Sequence, residues 1–401
     1  ELILDPNKQL ENADKLKASA GNQEVDIFSD NFKFTQTLKF NLGFDFKALG
    51  IDWTAEAIYS KTLNDIYYKN LAIEATGKTF GQETGYTWDN RPMFTQTTKG
   101  TPYAYVYGLY NTNKGYTVNL SLKGEKHFNF GLDLMASYTW TRSMSVNSGT
   151  SSVAGSNWMF NATYRDANDP ELSLSAYNVP HRIQASAYYH IGYGTSKQWQ
   201  TTIGLIYQGR SGSPYVIEMY GDMNGDGARG NDLMYIPTDA QIDQMRFAPT
   251  TVNNSKNTYP LITKVLGAGY KGNLSEEQQR ALLKQWIADD SYMSKHRGEY
   301  FKRYADNLAF EHHFDVHLAQ KYSFKVGGQV NSLELSFDII NVGNLLNKDW
   351  GHTYGDGFGR YFSPFNYEGD GLFKFDGTHV NRDYDSYNSR WRGQIGLRYT
   401  F

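Results

Sequence analysis

The stretch Asp222-Met-Asn-Gly-Asp226-Gly227 sets side-chain oxygens on alternate residues and follows them with a glycine. A hard cation such as Ca2+ takes carboxylate and amide oxygens at that spacing, and the glycine permits the sharp turn between them. An EF-hand-type loop also needs a bidentate glutamate further on. Leu233 stands at that place, and Asp232, one residue early, is the only substitute. Asp222, Asn224, Asp226 and Asp232 are therefore candidate ligands for Ca2+, set against the plainer reading of a tight Asn-Gly/Asp-Gly turn.

Two other groups could carry chemistry. His313, Asp315 and His317 share one face of an alternating segment, about 6.6 Å apart in successive steps. A shared metal would need further ligands from a second element, and a polar wall explains the residues equally well. Ala72 to Thr79 (Ala-Ile-Glu-Ala-Thr-Gly-Lys-Thr) fits a loosened phosphate-loop pattern. A working loop of that kind needs a buried strand before it and a helix after it, and the Phe80-Gly-Gln-Glu-Thr-Gly that follows reads as loop. There is no His-Glu-x-x-His, no Gly-x-Ser-x-Gly and no cysteine, hence no thiol site and no disulfide. The residues give no support for an enzyme.

The elements that position these groups are alternating strands. The last is the clearest: Trp391, Gly393, Ile395, Leu397, Tyr399 and Phe401 fall on one face, and Arg392, Gln394, Gly396, Arg398 and Thr400 on the other. Successive strand side chains point to opposite faces, so this strand separates a greasy surface from a wet one. The pattern recurs in about nine segments, near 32–47, 51–60, 116–123, 130–141, 182–191, 199–208, 308–318, 332–339 and 391–401. Each is close to the roughly 9–11 residues that cross a bilayer at a tilt. Short turns alternate with long Gly/Ser/Asn-rich connections at about 68–112, 143–180, 212–306 and 345–388. Bacterial outer-membrane barrels have this asymmetry, with short periplasmic turns and long external loops. Trp53, Trp199 and Phe401 at one end, and Tyr138, Trp140, Tyr207 and Trp391 at the other, stand where aromatic girdles belong. In the longest loop, Ser275-Glu-Glu-Gln278 is a capping-box start, and Leu282, Leu283, Trp286 and Ile287 follow at helical spacing, predicting a short amphipathic helix.

The bulk composition agrees. No apolar run approaches the roughly 18 residues of a membrane helix. The mean hydropathy of -0.60 does not oppose a barrel, in which only alternate residues need be apolar. A net charge of -3 gives no electrostatic case for nucleic acid. The opening Glu1-Leu-Ile-Leu-Asp-Pro has neither the basic start nor the apolar core of a signal peptide, so the chain reads as a mature fragment or the later part of a longer polypeptide. The expected fold is all-β: a transmembrane antiparallel barrel portion over 31–401, with 1–30 as the end of an extracellular loop. Unpaired backbone groups in hydrocarbon each cost several kcal/mol, and an odd strand count does not close a bacterial barrel. Both edge strands, about 32–47 and 391–401, are therefore expected to pair with strands outside this sequence. The loop aromatics Trp88, Tyr103, Tyr105, Tyr107, Trp158, Trp350, Tyr354, Phe358, Tyr361 and Phe362 could stack on an external ligand or pack on one another into a cap.

Several stretches together resemble the C-terminal barrel half of TonB-dependent outer-membrane receptors, in the Oar-like branch. They are Lys61-Thr-Leu-Asn-Asp-Ile-Tyr-Tyr68, Asn113-Lys-Gly-Tyr116, Gly131-Leu-Asp-Leu-Met-Ala-Ser-Tyr138, Val179-Pro-His-Arg182, Gly221 to Gly227 with Asn231-Asp-Leu-Met-Tyr-Ile-Pro237, Ser294-Lys-His-Arg-Gly298, and Phe337-Asp-Ile-Ile-Asn-Val-Gly-Asn344. The resemblance implies a bacterial outer-membrane location and a barrel of about 22 strands around an N-terminal plug. It implies a receptor that captures an external ligand and imports it with inner-membrane energy delivered through the TonB complex. The plug, the TonB box and the earlier strands lie outside this sequence, so the implied partners are an N-terminal plug-and-barrel segment and, through it, TonB. Outer-membrane lipid surrounds the wall, and a surface lipoprotein is the candidate external partner. The alternative is a surface structural or interaction protein on the same barrel, binding a partner chain without transport.

Overall fold

The computed structural model describes residues 23–99, 101, 103–355, 361–380 and 385–401. Nine long strands form the wall: β1 (Gln36–Ala48), β2 (Ile51–Asn70), β3 (Tyr116–His127), β4 (Leu132–Ser145), β5 (His181–Tyr193), β6 (Trp199–Arg210), β7 (Glu311–Val326), β8 (Gln329–Ile340) and β9 (Arg392–Thr400). Each pairs antiparallel with its sequence neighbour, in the order β1 to β9. The nine expected segments are all present; β2 and β7 run to Asn70 and Val326, well past the expected 60 and 318, and the other ends shift by a few residues. Phe32, Phe34, Phe130, Leu308 and Phe310 lie just outside the strands. Gln36, a polar residue on the otherwise apolar face of Phe34, Leu38 and Phe40, sits at a register shift between Gln36 and Thr37.

The short turns are built from left-handed residues. Leu49 and Gly50 (φ 57° and 68°) join β1 to β2, and Gly327 and Gly328 (φ 58° and 90°) join β7 to β8. Two positive-φ residues in a two-residue connection match the right-handed twist of the flanking strands. One wall face is apolar and open: Phe40, Leu42 and Phe44 on β1, Leu335 on β8, and Ile395 and Leu397 on β9 are each more than half exposed. A contiguous band of this kind is a lipid-facing surface. Aromatic pairs border it at both ends, Trp199 with Tyr322 (4.4 Å) and Tyr207 with Phe314 (4.9 Å). The opposite face carries polar cross-strand pairs such as Asn41–Glu56, Asp45–Thr54 and Asn119–Thr141.

Two connections depart from expectation. The segment 68–112 is not loop throughout. β2 runs for 20 residues, about 65 Å at strand rise, and Tyr103–Thr112 continues the β3 ladder against it in one unbroken register, from Asp52↔Glu125 to Asn70↔Tyr107. This ladder stands well beyond an apolar band about 25 Å tall. Gln23–Phe28, expected as irregular, pairs parallel with Tyr103–Leu109; residues 1–22 of that expected loop end lie outside the described residues.

The long loops also fold. They contain a five-stranded sheet in the order Arg246–Phe247, Leu372–Lys374, Tyr361–Gly369, Pro214–Tyr220, Asp306–Asn307. Pro214–Tyr220 is buried along almost its whole length, so it carries no alternation to read. The hydrophobic core sits here rather than in the wall, around Ile217, Met234, Ile236, Phe301, Phe365 and Phe375. The predicted helix spans Glu276–Asp289 and buries Leu282, Leu283, Trp286 and Ile287 in that core. Ser275 Oγ accepts from Gln278 N (3.2 Å), and Gln278 Oε1 accepts from Ser275 N (2.9 Å). Ser275→Ala should cost about 1 kcal/mol, read as faster proteolysis of the loop region with the wall unchanged.

Candidate functional site

The loops interlock above the wall into one cap. Its centre is Arg91, whose side chain is fully buried. Nε donates to both Asp89 carboxylate oxygens (3.0 and 3.1 Å), one terminal nitrogen to Asp232 Oδ1 (2.9 Å) and the other to the Leu233 carbonyl (3.0 Å). Tyr300 O–H donates to Asp89 Oδ1 (2.7 Å) and stands under the guanidinium. Burial opposes the charge, but Asp89 and Asp232 outweigh it and hold the guanidinium above its usual range. One side chain thus fastens the first long loop to two points of the third. Tyr86 O–H donates to the Gly371 carbonyl (2.8 Å), tying the first loop to the fourth. Buried Arg303 binds Asn161 and the carbonyls of Val146 and Glu171, tying the third to the second.

Asp222, Asn224, Asp226 and Asp232 come together in this cap. Asp222 accepts from Gly225 N (2.7 Å) and Gly227 N (2.9 Å), Asn224 Oδ1 from Asp226 N (3.0 Å), and Asp226 Oδ1 from Ala228 N (2.8 Å). Gly225 and Gly227 have φ of 78° and 90°, and a Cβ on Gly225 would lie 2.5 Å from the Phe94 carbonyl oxygen, so glycine is required there. Asp232 takes a different role from the other three: Oδ1 binds Arg91 and Oδ2 accepts from Met223 N (2.9 Å). Asn231, outside the alternating oxygens of 222–226, donates its Nδ2 to Asp226 Oδ2 (2.8 Å), and Glu218 lies on the neighbouring strand; neither is marked by spacing in the sequence. Burial raises the carboxyl pKa values of Asp222, Asp226 and Asp232, and pushes Glu218 up to about 8.

His313, Asp315 and His317 do not converge. His313 meets Thr353 Oγ1 (3.2 Å), Asp315 accepts from Asn341 N (2.7 Å), and His317 pairs with Asp338 (2.6 Å). Among the described residues no three His, Asp or Glu side chains are placed to hold a metal together. Thr79 caps a short helix, Phe80–Thr84, where loop was expected. Its hydrogen bonds are met by a capping box with Gln82, and its Phe80 is core.

The loop aromatics mostly pack on one another. Tyr107 and Trp158 are buried together (5.7 Å between rings), Tyr105 stacks on Tyr107, and Trp88, Tyr354 and Phe362 lie against the main core. Tyr103 and Trp350 remain exposed. Phe358 lies outside the described residues, as does the Tyr361 side chain.

Below the cap, the polar face carries a belt across the wall in one register: His127, Asp133, Tyr188, Gly204, His317, Asp338, Gln394. Asp133 lies between His127 (2.8 Å) and His190 (3.3 Å). A Cβ on Gly204 would lie 2.5 Å from the Tyr188 ring, so the glycine lets Tyr188 and His317 meet edge to face.

Among curated proteins, no sequence matches the chain. Among solved structures it is similar to the outer membrane transporter YddB from Escherichia coli, at 12% identity and a TM-score of 0.33, covering 81% of this chain and 31% of that one. The chain thus spans less than a third of that transporter's length. Residues 5–347 match the family described as outer membrane beta barrel domain. With its lipid-facing band, polar inner face and folded external loops, the chain belongs to that family and forms part of a transmembrane β-barrel in the outer membrane.

Proposed function

We propose that the chain is the C-terminal barrel portion of a TonB-dependent receptor of the Oar-like branch, which captures an external ligand at its cap and imports it with inner-membrane energy. The observation that carries this reading is the pair of open wall edges. Among the described residues β1 pairs with β2 alone, β9 pairs with β8 alone, and β1 is exposed along both faces. Open ladders in hydrocarbon are too costly to persist, so the wall continues through further strands. The roughly 22 strands that the resemblance implies would enclose a lumen of the kind that is plugged in outer-membrane transporters. The polar belt from His127 to Asp338 supports a hydrated insert lying against it.

The chain has no cysteine, so single cysteines introduced at Phe40 and Ile395 report directly on closure. In the native protein these positions should not cross-link to each other. The periplasmic domain of TonB should bind the native protein, and uptake of its ligand should stop in cells lacking TonB. A direct β1–β9 cross-link, with an intact mass of this chain alone, overturns the reading. Failure to bind TonB together with stable capture of a surface lipoprotein favours the interaction-protein alternative.

A further inference from the structure

The cap buries more carboxyl groups than it pairs with cations. Asp89, Glu218, Asp226 and Asp232 are all buried, and Arg91 serves Asp89 and Asp232. Among the described residues Asp226 and Glu218 have no ion-pair partner. Asp222, part-buried, adds a further carboxylate beside Asp226. Buried charge is retained when it is paired or coordinates a metal.

A second observation concerns an amide beside the acids. Asn231 is 1% exposed, its Nδ2 rests on Asp226 Oδ2, and its Oδ1 has no hydrogen-bond partner. A buried amide oxygen left without a donor costs free energy that a hard cation recovers. A proton on Asp226 would leave Asn231 Oδ1 as it is, because the amide presents its Nδ2, not its oxygen, to Asp226.

We propose that a Ca2+ ion binds between the 222–227 loop and Asn231, with oxygens of Asp222, Asn224, Asp226 and Asn231 as its protein ligands and water completing the shell. Asp232 is the anchor of Arg91 and lies outside that set. Two carboxylates and two amides make a weakly charged donor set. Its affinity therefore falls in the range of extracellular modules, with a Kd on the order of 10⁻⁴–10⁻³ M. The loop also touches the first long loop, where Phe94 N donates to the Asn224 carbonyl (2.7 Å) and Gly227 lies against Gln96 and Tyr105. The ion would therefore fasten the same two loops that Arg91 joins.

The test is calcium chloride added to the native full-length polypeptide in detergent after chelator stripping. Calorimetry and the thermal transition of tryptophan fluorescence are followed, with magnesium chloride as control. Calcium, and not magnesium at equal concentration, should bind saturably and raise the transition. Asn231→Ala should weaken binding by roughly tenfold or more, and Asn231→Asp, which adds a ligand charge in nearly the same volume, should tighten it. Identical transitions with and without calcium overturn the proposal. So does unchanged affinity in Asn231→Asp, which preserves the test even where the alanine variant does not fold.

Discussion

Arg91→Met should destabilise the cap by about 3–5 kcal/mol, the cost of removing one partner from a buried ion pair. The loss is large because four acceptor positions depend on one guanidinium: both oxygens of Asp89, Asp232 Oδ1 and the Leu233 carbonyl. Methionine fills much of the volume but leaves two carboxylates facing each other without a cation. The first and third long loops should then become sensitive to protease, while β1 to β9 keep their far-ultraviolet signal and resistance to detergent. Adding Asp89→Asn and Asp232→Asn to the methionine variant should restore part of the loss, since the charges then disappear together. If the single variant resists protease like the parent, Arg91 is not the fastening point.

Leu335→Arg and Ile395→Arg should each cost about 2–4 kcal/mol in lipid, the penalty of a cation near the bilayer midplane. Both residues point into the apolar band from the middle of their strands, and β8 pairs with β9 in the register Leu335↔Leu397 and Phe337↔Ile395. Gln394 and Glu334 differ from them by one residue and face the other way, so polar replacements there should be nearly neutral. Folding titrations into lipid vesicles decide this. Greater losses at the inner positions would reverse the assignment of the two faces.

The wall was legible because lipid on one side and water on the other impose a period of two on every strand. Leu333, Leu335, Phe337 and Ile339 against Ser332, Glu334, Ser336 and Asp338 need no partner to be read. The capping box at Ser275 was legible for a similar reason: its geometry is local. The cap was not. Pro214–Tyr220 is covered on both faces, so its composition carries no face at all. Arg91 has only Asp89 within its own segment; Asp232 lies 141 residues away, and Tyr300, which completes Asp89, lies 211 residues from it. The oxygen spacing of Asp222 to Asp226 singled out a segment that folds into the buried cap. That Asp232 turns to Arg91 while Asn231 turns to Asp226 depends on where Arg91 arrives, which no spacing within that loop records.

The pairing pattern also fixes an order of assembly. Wall strands pair with their sequence neighbours, so hairpins such as β1–β2 and β7–β8 close loops of a few residues and can form early and independently. The cap fastenings span far longer separations, up to 285 residues from Tyr86 to Gly371, and join loops that hang from different hairpins. They can close only after those hairpins stand side by side with their loops already on the outer side. Folding should therefore be two-phased, with a fast phase that builds the wall and a slower one that matures the exterior. Protease resistance of the loops should lag behind strand formation.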